Sequence, residues 1–216
     1  MQLIDKHNWP RKQVFDFFNS FDNPHYNVTV PVDVSEIVIY CKKENQSFFR
    51  MVLYLSLKVL NRKPEFKMRI RKDKIILHDL IHPSFTVLKE NNVFNFCTTT
   101  YCEDYNIFLK TINHSIEDAK KTDELGILPD RDDLTYVSSL PWLTYTSLSH
   151  PFNVKNVDSI PRISWGKYFQ DGNRYQMSFT LQVNHALVDG IHVSEYFNDL
   201  QVMFDSPEAA LTDYKR

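Results

Sequence analysis

His185 is the residue whose type and setting point first to chemistry. It closes the strand-like run 174–184, and an Asp-Gly pair, Asp189-Gly190, follows four residues later. A neutral imidazole titrates near ~6.5, so it can take a proton from an alcohol around neutral pH without further tuning. The acidic residue and the glycine after it can brace the turn that aims the ring, because glycine adopts backbone angles that other residues resist. The competing reading is a core histidine satisfied by one backbone carbonyl; the corner between this strand and a helix expected over 191–203 favours a general base instead. A different chemistry is open as well. His185, Asp189 and His192 together offer two imidazoles and a carboxylate, a ligand set used at zinc and iron, which would suit a metal-dependent hydrolase.

A base at a strand end needs a sheet and helices to hold it, and the hydrophobic pattern supplies both. Pro10 suits the first turn of a helix carrying Val14, Phe15, Phe17, Phe18 and Phe21, since its missing donor would be unpaired there anyway. A strand is expected over 26–32, a helix up to Lys43 capped by Asp33 or Ser35, and a largely buried helix over 48–60 behind Ser47. The runs 66–71 and 75–78 flank Lys72-Asp73-Lys74 as a hairpin, and 85–88 with 93–101 add two more strands, so the middle reads as a β-meander. Residues 104–121 carry Tyr105, Phe108, Leu109, Ile112 and Ile116 at helical spacing, with Gly126 and Pro129 marking a loop beyond. The runs 134–138, 143–148 and 163–169 complete the sheet, and Asp171-Gly172 turns the last of them into 174–184.

Composition narrows the classes. A chain of 216 residues with 43% hydrophobic and 14% aromatic content can bury a large core as one α/β domain, expected over 1–204, with a polar tail over 205–216. The net charge of −2, with both signs interspersed, provides no field to recruit nucleic acid or an anionic membrane. Cys41, Cys97 and Cys102 read as reduced thiols in a chain too large to need staples. The opening residues hold no apolar signal core and no run approaches the ~20 apolar residues of a membrane span, so a cytoplasmic location is expected.

The stretch Gln182-Val183-Asn184-His185-Ala186-Leu187-Val188-Asp189-Gly190-Ile191-His192 resembles the His-x-x-x-Asp-Gly signature of the chloramphenicol acetyltransferase family. Further blocks follow in that family's order: Trp9-Pro10-Arg11-Lys12, Tyr26-Asn27-Val28-Thr29-Val30, Asn61-Arg62-Lys63-Pro64, Phe85-Thr86-Val87, Leu140-Pro141-Trp142-Leu143-Thr144-Tyr145-Thr146-Ser147 and Gly166-Lys167-Tyr168. The resemblance implies a two-layer α/β sandwich, a large mixed β-sheet packed by helices. It also implies an acetyl-CoA-dependent O-acetyltransferase acting on chloramphenicol or a related hydroxylated small molecule. Transfer would be direct, with acetyl-CoA as co-substrate and no metal, and with active sites between the subunits of a homotrimer.

Residue by residue, the resemblance makes His185 the general base and Ser147 the donor to the oxyanion. Asp189 and Gly190 become the structural brace of the catalytic loop, Tyr26, Tyr145 and Ser164 substrate-binding positions, and Lys167 and Tyr168 contacts to the coenzyme. Taken alone, Ser147 would be an ordinary strand serine, and Tyr26 and Tyr145 half-buried packing residues. The family pairs its aspartate with an arginine of the first helix, and the matching helix position here is Asn19, so Asp189 needs another cation or amide donors. Asn184 and Ile191 also depart from the family pattern, which motivates a third possibility, a catalytically silent binding protein on the same fold.

Overall fold

The computed structural model describes every residue except 129, 154, 156 and 213–216. In chain order the elements are β1 (Gln2–Ile4), α1 (Lys12–Asn19), β2 (His25–Asp33), α2 (Ser35–Lys43), α3 (Phe48–Arg62), α4 (Pro64–Lys67), β3 (Met68–Arg71), β4 (Lys74–Leu77), β5 (His82–Leu88), β6 (Phe94–Thr98), α5 (Tyr105–Lys121), β7 (Leu134–Leu140), β8 (Arg162–Gly166), β9 (Phe169–Asp171), β10 (Arg174–Asn184), α6 (Gly190–Asp205) and α7 (Pro207–Thr212). A seven-stranded mixed sheet runs β2-β10-β8-β7-β5-β6, with β9 paired to β10. The β5–β7 and β7–β8 pairs are parallel and the others antiparallel. A large mixed sheet with helices packed on it is the expected two-layer sandwich.

The two faces of that sheet follow from strand alternation. On β10, Phe179, Leu181 and Val183 are buried in the core, Phe179 against Tyr196 and Phe197 of α6, while Ser178, Thr180 and Gln182 point to the opposite face. On β8, Ile163 and Trp165 join the core and Ser164 and Arg162 share the polar face. α3 is buried from Met51 to Asn61, as an apolar helix at the centre of a core must be. Ser47 caps it, its side chain accepting from the Arg50 amide at 3.4 Å.

Several expectations change. The hairpin β3–β4 is not part of a meander; it joins β1 in a separate three-stranded sheet, order β1-β4-β3. β1 is only three residues long with two of them exposed, too short to show a period. The run 143–148 is not a strand. It crosses the polar face of the sheet, and side chains beneath take up its backbone groups: Ser178 Oγ donates to the Tyr145 carbonyl and Asn27 Nδ2 to that of Leu148 at 3.1 Å. The 205–216 stretch is not simply a polar tail, because α7 packs on α2 and α6, and the buried Lys58 ammonium donates to the Ala210 carbonyl at 2.6 Å. Its last four residues, and Pro129, lie outside the described residues. Helix α1 begins two residues after Pro10 and ends before Phe21.

Candidate active site

β10 ends at Asn184, and the chain then turns tightly: the Leu187 and Val188 amides donate to the Asn184 carbonyl, and the Asn184 side chain accepts from the Ala186 amide at 3.0 Å. His185 sits in that turn, its own amide donating to the Pro24 carbonyl at 2.8 Å. Its ring is clamped. Phe18 of α1 stacks on it with centroids 3.8 Å apart and planes 8° from parallel, and Tyr26 of β2 lies at 4.5 Å. Nδ1 is buried without a hydrogen bond, 3.6 Å from Asp189 Oδ1. The side chain nevertheless keeps 30% of its exposure, and Nε2 is not among the buried orphan atoms, so Nε2 is the nitrogen open to a reactant.

Arg11 answers the question of charge left at Asp189. Its Nη1 pairs with Asp189 Oδ2, and its Nη2 reaches the carbonyls of Ala186 at 3.2 Å and His185 at 3.4 Å. One guanidinium therefore holds both the carboxylate and the backbone of the turn that carries His185. Burial lowers the Arg11 pKa, opposed by the nearby Glu65. The match of the family's arginine to Asn19 is thus corrected: the cation precedes α1. Nothing in local spacing joins residues 178 apart, although Arg11 stands within a block that carries the resemblance. Asp189 Oδ1, at 3.6 Å, is too far from Nδ1 for a proton-relay hydrogen bond.

Gly190 plays no conformational part of the kind expected. Only Gly172 among the glycines has a left-handed φ, at 58°, and a Cβ on Gly190 would meet nothing within 4 Å. His192 is also turned away from His185. Its Nδ1 accepts the Asp189 amide at 2.9 Å, closing the first turn of α6, and its Nε2 faces Glu65 at 3.8 Å. Among the described residues no group of three His, Cys, Asp or Glu side chains converges as a metal site, and the ligand set 185, 189 and 192 is not assembled.

Among the remaining positions Tyr26 stands out by its ring contact with His185. Ser147 is exposed, on the loop over the polar face. Ser164 pairs in register with Thr180, five residues before His185 along β10, or about 17 Å of extended strand. Its buried hydroxyl lies 2.6 Å from His150 Nε2. Tyr145 is tied to the backbone of Ser164. Its hydroxyl donates to the Ser164 carbonyl at 2.9 Å and accepts from Thr180 at 3.2 Å. Tyr26 is beside the base, its phenol pushed up to about 12 by burial. Lys167 is exposed, and Tyr168 packs between Phe48 and Tyr175 towards the far end of β10.

A cavity of about 480 Å³ opens on the polar face, lined among others by Phe94, Phe96, Leu128, Tyr136, His150 and Arg162. Arg162 is buried there and satisfied by Asp158 Oδ2 at 2.7 Å and the Ile160 carbonyl at 2.9 Å. Such a cavity, mostly apolar with a few placed polar groups, suits a small molecule.

The site is thus an open imidazole at the strand-to-helix corner of a helix-backed mixed sheet. The comparisons make this specific. A family model described as chloramphenicol acetyltransferase matches residues 1–201. A chloramphenicol acetyltransferase of Escherichia coli is 30% identical over 94% of this chain and 93% of its own length, and one of Clostridium perfringens is 30% identical over 97% of each. A solved chloramphenicol acetyltransferase structure superimposes with a TM-score of 0.87 at 27% identity, covering 94% of this chain and 99% of that one. The chain belongs to the chloramphenicol acetyltransferase family and is an acyltransferase.

Proposed function

We propose that this protein transfers the acetyl group of acetyl-CoA to a hydroxyl of chloramphenicol or a closely related small alcohol. The observation that carries the reading is the state of His185: a ring clamped by Phe18 and Tyr26, its turn held by Arg11 and Asp189, and Nε2 left open. His185 Nε2 removes the hydroxyl proton as the oxygen attacks the thioester carbonyl. The carbon–sulfur bond then breaks, and the proton passes from the imidazolium to the coenzyme sulfur. Ser147 donates to the oxyanion formed between these steps, and Ser164 orders the polar groups around it. The coenzyme lies along the Lys167–Tyr168 end, where a cation and a ring suit an adenosine phosphate.

The site is built between copies of the chain. What supports this is that Phe17, Phe21, Trp142 and Ile191 are left exposed. A homotrimer closes it, with the base of one subunit facing the acceptor pocket of the next. No helix of the described residues is long and apolar enough to cross a membrane, in keeping with a cytoplasmic enzyme whose thioester substrate is intracellular. The test is thiol release from acetyl-CoA with chloramphenicol and a panel of hydroxylated small molecules. Acetylation of chloramphenicol, or of another alcohol of similar size, is expected. Release that is the same with and without acceptor would contradict the reading.

A further inference from the structure

His150 is the polar feature of the cavity that no role above absorbs. It enters from the loop over the sheet's polar face, and Gln182 of β10 holds it there, its Oε1 accepting the His150 amide at 2.8 Å. The ring lines the cavity on one side, and on the other its Nε2 lies 2.6 Å from the hydroxyl of Ser164, a side chain with no exposed surface. A serine hydroxyl has one proton to give and two lone pairs, and its rotor turns freely unless a partner fixes it. An imidazole at this distance fixes it in either tautomer, by donating to the oxygen or by accepting its proton. Burial, with the neighbouring Arg162 cation, lowers the pKa of His150 and keeps the ring neutral.

We propose that His150 is a positioning residue for acetyl transfer, holding the Ser164 hydroxyl in the orientation that serves the reacting groups while its ring forms part of the acceptor wall. This rests on the reading of Ser164 given above. Loss of the ring then has two separable effects: the freed hydroxyl lowers kcat, and the altered wall changes the KM of the acceptor but not of acetyl-CoA.

The experiment measures kcat and both KM values for Ser164→Ala, His150→Leu, His150→Gln and the double variant His150→Leu/Ser164→Ala. Ser164→Ala and His150→Leu are each expected to lower kcat roughly tenfold, the size of one ordered hydrogen bond. The double variant should be no worse than the poorer single one, since both break the same contact. His150→Gln, which keeps an amide near the Nε2 position, should recover most of the loss. Losses that multiply in the double variant, or wild-type kcat in His150→Leu, would overturn the proposal. Wild-type kcat in Ser164→Ala overturns the reading of Ser164 beneath it and the proposal with it. A readout independent of turnover is the ring ¹⁵N resonances of His150, which shift in Ser164→Ala if the contact exists in solution; unmoved resonances overturn the contact whatever the acceptor.

Discussion

Arg11 ties Asp189 to the turn that carries His185. Its guanidinium takes Asp189 with one nitrogen and the carbonyls of the 185–186 turn with another, so the aspartate reaches His185 through the cation and the backbone. Asp189→Asn keeps the shape of the side chain and removes the charge opposite a half-buried arginine. The expected result is a loss of about 1–2 kcal/mol of stability together with partial activity. Urea unfolding and kcat on the same preparation check it. A variant that unfolds like wild type yet is as inactive as one lacking His185 would place Asp189 in the proton path. At this scale the place of His185 and Asp189 at a strand-to-helix corner was legible in the sequence, because a strand end and an Asp-Gly pair are local. Arg11, the Phe18 stack and the His150–Ser164 contact were not, since each joins elements brought together only by the fold.

At the scale of elements, alternation along the strands decided most of the sheet. Runs such as 174–184 became strands, while 143–148 carried the same signal and became a crossing loop. The β-forming composition of 143–148 is the signal of a strand, yet only Tyr145 and Leu148 are partly covered, so the run does not alternate as a ladder strand does. Gly166 makes this crossing possible. A Cβ there would stand 2.8 Å from the Leu143 carbonyl and 3.2 Å from the Tyr145 ring, and the first contact is backbone that cannot swing aside. Gly166→Ala is expected to cost about 1–3 kcal/mol and to lower turnover, because the loop that moves also carries Ser147 and His150. Denaturant midpoints and kcat measured together test this, and wild-type values of both would show that the loop does not depend on the close approach.

At the scale of the molecule, the account divides the chemistry between copies. A subunit with His185→Ala keeps the acceptor cavity and Ser147, and one with Ser147→Ala keeps the base. Unfolded together and refolded, the two inactive variants should recover activity well above either alone, because some interfaces then pair an intact base with an intact oxyanion donor. Mixtures no more active than the parents would put both groups in one chain. The small sheet with β1 and the packing of α7 were hidden from the sequence for a simple reason: each is too short to show a period and is held by tertiary contacts such as Lys58 to Ala210.

The most direct test of the central claim, that His185 is the base of acetyl transfer, is the steady-state rate of coenzyme thiol release with chloramphenicol as acceptor for the wild-type protein and His185→Ala. The account predicts at least about a 10³-fold fall in kcat, with an unchanged circular dichroism spectrum and little change in melting temperature, since the ring is partly exposed and its removal opens no deep apolar cavity. A folded His185→Ala protein that turns over at the wild-type rate would contradict it.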